Sequence, residues 1–130
     1  MSLEQQVNQF NTTYNVPTSE TPRLPTDMEA TRLHNLILEE LMELNDAIDA
    51  GDIVEIADAI ADIIYVTAQQ AVTLGFPVDA LLREVQRSNM SKLGADGLPI
   101  FRDDGKVLKG PNFSEPNITK VLTEAGYEWV

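Results

Sequence analysis

The chain has 130 residues, 43% of them apolar, with 9 Lys and Arg against 21 Asp and Glu and no cysteine. Its length is that of one domain able to bury a core, and its apolar share is too high for a disordered chain. The formal net charge of −12 excludes an electrostatic grip on nucleic-acid backbones or anionic membranes, and the missing cysteines exclude disulfides, zinc–thiolate sites and cysteine nucleophiles.

Leu3, Val7, Phe10 and Tyr14 fall on one stripe of a first helix. Asn15 to Pro25 carries Pro17, Pro22 and Pro25, which predicts an extended connector. Thr26 with Glu29 forms a capping box that starts a long helix, and Gly51 offers the left-handed position that ends it after Ala50. Asp52 with Glu55 repeats the start signal, so a second long helix runs from about Ile53 to Leu74 and stops at Gly75. So short a break makes the two helices antiparallel neighbours. Pro77 suits the first turn of a third helix, PVDALLREVQRSNMSK, which Gly94 ends. Beyond it, Ile100–Arg102 and Lys106–Leu108 flank Asp-Asp-Gly as a short hairpin, and Pro116 to Ala125 forms a last helix closed by Gly126. The fold class is all-α, a helical bundle with an irregular and partly basic C-terminal segment. MSLEQQVNQF lacks the pattern of a signal peptide, and no apolar run nears the roughly 20 residues that span a bilayer. The expectation is a soluble cytoplasmic protein.

The two long helices hold the chemistry. Between Leu33 and Leu82 lie ten acids and no basic side chain except His34. On a helical wheel, Leu33, Leu36, Ile37, Leu44, Ala47 and Ile48 form the buried stripe, with Glu40 near its middle and Glu43 on its edge. A carboxylate there is costly unless protonated, paired or bound to a cation. Two readings fit: a satisfied glutamate, neutral or paired with Arg83 or Arg87, and a metal ligand. The second helix is apolar except for one stripe of Glu55, Asp58, Asp62, Tyr65 and Gln69, with no lysine to relieve the repulsion. Facing carboxylates at helical spacing build the oxygen-rich cage that Mg²⁺ and Mn²⁺ prefer. A di-iron bundle needs Glu-x-x-His elements, and His34 does not supply one.

Six of the nine Lys and Arg residues lie between Arg83 and Lys109. Acidic helices followed by a basic, amide-bearing segment suit a phosphate ester held by metal on one side and by cations on the other. Solubilising residues of an exposed helix and loop explain the same pattern. Phe10, Tyr14, Phe101, Phe113 and Trp129 are each open to a role beside a base or in packing.

EELMEL at Glu39–Leu44, followed by ADAIADIIYV at Ala57–Val66, resembles the all-α nucleoside triphosphate pyrophosphohydrolases. That superfamily includes the MazG-like enzymes and phosphoribosyl-ATP pyrophosphohydrolase. EVQRSNMSK and the DGK-x-L-K-G-P segment resemble the short MazG-like branch. The resemblance covers roughly Leu36 to Asn112; with the single domain over residues 1–130 that the length suggests, it implies a four-helix core at about 26–93 completed by assembly into a homodimer or homotetramer. It implies Mg²⁺-dependent hydrolysis of a nucleoside triphosphate to the monophosphate and pyrophosphate, with Mn²⁺ as an alternative ion. Phosphoribosyl-ATP hydrolysis and a non-catalytic binding or interaction module are the alternatives. Glu40, Glu43 and Asp62 match metal ligands, Glu39 a residue that orients water, and Asn89 and Lys92 contacts to sugar or phosphate. Lys106 and Lys109 are added for the terminal phosphates. Where the pattern has a further Glu this chain has Ala59; Asp58 takes its place, or Glu55 and Asp58 are the shifted pair.

Overall fold

Ser2 and Thr26 each close a reciprocal capping box with the side chain three residues on, and each opens a helix: α1 at Leu3–Thr13 and α2 at Asp27–Ala50. Gly51 ends α2 at φ 64°, a left-handed conformation natural to glycine. The Asp52 carboxylate then accepts the N–H groups of Val54 and Glu55 and opens α3 at Ile53–Thr73. Two residues therefore reverse the chain, and α2 packs along α3 and on no other helix.

After Gly75 the chain bends by 117° into α4 at Val78–Met90, with Pro77 at its cap, two residues short of the predicted Lys92. The hairpin is reduced to one bridge between Phe101 and Val107, with Arg102 N–H donating to Lys106 O and Leu108 N–H to Ile100 O, in the register predicted. Asn117 caps α5 at Ile118–Glu124. The Glu84 carboxylate fixes α5 to α4 by accepting from the Arg87 guanidinium and the Asn117 N–H, and its pKa is held down to about 2. This computed structural model describes Met1 to Val130 and is all-helical apart from the bridge. No single helix is long and apolar enough to cross a membrane.

A small core of Val7, Ala68, Val72 and Val78 ties α1 and α4 to the C-terminal half of α3. The buried Asn11 amide extends that tie: it donates to Thr18 and Thr73 and accepts from Gln69. Only 11 of 130 residues are buried, so the helices form an open bundle with a small core.

Replacing Gly51 by alanine tests the reversal. Nothing obstructs the added Cβ, so the left-handed backbone alone carries the cost. Urea denaturation should show a loss of about 1 kcal/mol.

Candidate metal centre and active site

Glu40 and Glu43 stand one turn apart on α2, and Asp62 stands opposite them on α3. One carboxylate oxygen from each lies within 4.8 Å of the other two. Glu40 and Asp62 are half-buried and Glu43 is exposed. Glu40 Oε2 is shut off from water and has no hydrogen-bond partner. Its surroundings push the Glu40 pKa up: burial contributes most, then a hydrogen bond shared with Glu43, then the charges of Glu43, Asp62 and Glu39.

No arginine relieves this crowding. Arg87 is committed to Glu84, with Nη2–Oε1 at 2.7 Å, and Arg23 is paired with Glu29. Three acids at such spacing stay together by sharing protons or by binding a cation. The donor set is all oxygen, which suits a hard divalent ion. The orphaned Glu40 oxygen fits such an ion better than it fits a finished hydrogen-bond network.

The remaining acids divide. Glu39 is exposed on α2 beside Glu40. Asp58 lies outside the triad and lines an adjacent cleft of about 390 Å³ with Glu43, Asp46, Asp52 and Glu55. Ala59 is buried on the wall of that cleft, with Ala47 buried on the facing helix. Small side chains at these two positions let α2 and α3 approach closely. His34 is exposed.

The basic segment stands apart from the triad within one chain. Asn89 and Lys92 lie at and just after the end of α4, which packs on α1, α3 and α5 but not on α2. Lys106 is exposed at the hairpin, and the Lys109 ammonium sits 4.6 Å above the Phe113 ring. One relation is set by packing alone. Tyr65, three residues after Asp62, meets Phe10 of α1 edge-on at 5.9 Å between ring centres. The signal was present as two stripes, one on each helix, whose docking no local pattern specifies.

The family model described as phosphoribosyl-ATP pyrophosphohydrolase matches residues 7–89, from the middle of α1 to the end of α4. The chain belongs to this family, whose members are pyrophosphohydrolases, enzymes that act on acid anhydrides. No curated relative matches it.

The raised Glu40 pKa predicts a specific pH dependence. A carboxyl whose folded pKa is raised favours the fold while protonated, and that contribution is lost as pH rises through the folded pKa. In EDTA, the melting temperature should fall as pH rises from the ordinary glutamate range through that value. Glu40→Gln should flatten the slope, and Mg²⁺ or Mn²⁺ should restore stability to the wild type alone.

Proposed function

We propose that the chain hydrolyses the α–β phosphoanhydride of a nucleotide triphosphate, releasing pyrophosphate and the nucleoside monophosphate, with phosphoribosyl-ATP as its leading substrate. The observation that carries the site is the partnerless Glu40 oxygen grouped with Glu43 and Asp62. The family match supports the substrate. It reverses the order suggested by the C-terminal resemblance, which ranks common deoxynucleoside triphosphates first. These remain the second reading: of the two segments that carry that resemblance, Asp104–Pro111 lies wholly beyond the matched residues and Glu84–Lys92 runs past their end. Both substrates break the same bond.

Glu40, Glu43 and Asp62 would hold Mg²⁺ or Mn²⁺, with Asp58 as a further ligand from the adjoining cleft. Such an ion neutralises phosphate charge and lowers the pKa of water bound to it. Glu39, exposed beside the triad, takes the proton of the attacking water at its carboxylate. The water oxygen bonds to the α-phosphorus as the bond to the bridging oxygen breaks, and the electron pair leaves with pyrophosphate. Asn89, Lys92, Lys106 and Lys109 contact the sugar and the terminal phosphates.

The unit is one domain over residues 1–130 and works as a homodimer or homotetramer in the cytoplasm, where its substrates are. Support for assembly comes from apolar residues set off from the triad. Ile53, Ile60 and Ile64 lie about 160–200° round α3 from Asp62, and Leu41 and Ile48 lie about 140–160° round α2 from Glu43 and about 80–100° from Glu40. All five are exposed. An apolar surface set off from the carboxylates lets a second copy cover it without blocking the site. Light scattering at micromolar concentration should give a multiple of 14.4 kDa, and a monomer would refute the assembly.

The activity is tested by pyrophosphate release from phosphoribosyl-ATP and from a panel of dNTPs, NTPs and dUTP, with Mg²⁺ and with EDTA. Phosphoribosyl-ATP should be the best substrate, EDTA should abolish release, and Glu40→Gln should lower kcat/KM by about 100-fold or more. Undiminished turnover by Glu40→Gln would overturn the site.

A further inference from the structure

We infer that the nucleobase of the substrate stacks on an aromatic wall built by Tyr14 and Phe10 of α1 and Tyr65 of α3, next to the acidic triad. The inference rests on the nucleotide reading above and adds the place where the base is held.

Apart from Phe76, in the bend between α3 and α4, the aromatic residues fall into two groups. Phe101 is tied into the hairpin by its bridge to Val107, and Phe113 lies under the Lys109 ammonium. The Trp129 indole N–H donates to Thr123 Oγ1 at 2.8 Å, and its ring meets Tyr127 edge-on at 4.6 Å. Phe101 and Trp129 stay more than half exposed, but all four rings belong to the C-terminal segment after α4 and none lies on α1 or α3.

Phe10, Tyr14 and Tyr65 instead make a continuous set. Phe10 meets Tyr65 at 5.9 Å and 79°, and Tyr14 meets Phe10 at 4.6 Å and 44°. Tyr65 follows Asp62 by three residues, so it shares that face about 4.5 Å farther along the helix axis. Gln69, one turn beyond, donates to Asn11 Oδ1 at 3.3 Å and helps lock α1 in place. On this stripe of α3, Asp62 faces α2, and Tyr65 and Gln69 meet Phe10 and Asn11 of α1.

The α3 stripe thus has two chemically distinct ends: carboxylates for a metal–triphosphate, and one turn away a chain of aromatic rings. Packing accounts for Phe10 and Tyr65, but Tyr14 is 66% exposed although its ring is held against Phe10 in a tilted contact. A ring fixed on one side and open on the other suits base stacking, which tolerates every base because each has a π-face. Its anchorage to α3 through Val7 and Asn11 means little ordering cost falls on binding.

The test compares the full-length wild type with Tyr14→Ala and Tyr14→Phe. Equilibrium binding is measured with Mg²⁺ for a non-hydrolysable α,β-imido ATP and for inorganic tripolyphosphate, which has the phosphates but no base. Tyr14→Ala should weaken the imido nucleotide by roughly 10-fold and leave tripolyphosphate affinity unmoved, and Tyr14→Phe should keep wild-type affinity. Equal weakening for both ligands, or no weakening for either, would overturn the wall as a base site. Binding is read without turnover, so a selective loss upholds the wall even if no nucleotide is hydrolysed. In that event only the catalytic reading fails.

Discussion

The reversal at Gly51 and Asp52 sets the register on which the site depends. Gly51 adopts the left-handed conformation that stops α2, and the Asp52 carboxylate takes up the first free N–H groups of α3. With the turn fixed at two residues, Glu40 and Glu43 on one helix must face Asp62 on the other. Inserting one residue would rotate one helix by about 100° against the other and separate the acids. Local capping therefore determines a tertiary arrangement of charge.

That arrangement is unfavourable in isolation. The turn brings three carboxylates together in a place that shuts Glu40 Oε2 off from water, and no Lys or Arg forms an ion pair with any of the three. Burial and the neighbouring carboxylates raise the Glu40 pKa, so its contribution to stability is lost as pH rises. The open bundle is a second unfinished feature, with isoleucines and leucines exposed on α2 and α3. In the proposed function both would be met by association, with a cation at the acids and another copy of the chain on the apolar surface.

Much of this was legible in the sequence because it is local. Thr26, Glu29, Gly51 and Asp52 are caps whose residue types state their own conformations, and the helices begin and end within a residue or two of them. Glu40, Glu43 and Asp62 could be singled out because helical period and a short turn suffice to relate them. The placement of Lys92, Lys106 and Lys109 was not legible, since it depends on the 117° bend after Gly75 and on how α5 docks through Glu84. The docking of Phe10 on Tyr65 was missed for the same reason: contacts between residues far apart in sequence follow from packing, which no window along the chain encodes. Ala59 reads as a vacancy in a motif, yet in the fold it is a buried small residue beside the facing helix.

The most direct test of the central claim is a crystal structure of the protein soaked in Mn²⁺, with anomalous scattering used to locate the ion. The account predicts a peak bounded by the carboxylates of Glu40, Glu43 and Asp62, absent from Glu40→Gln crystals. A peak confined to the cleft of Asp46, Asp52, Glu55 and Asp58, or no peak among these acids, would contradict it.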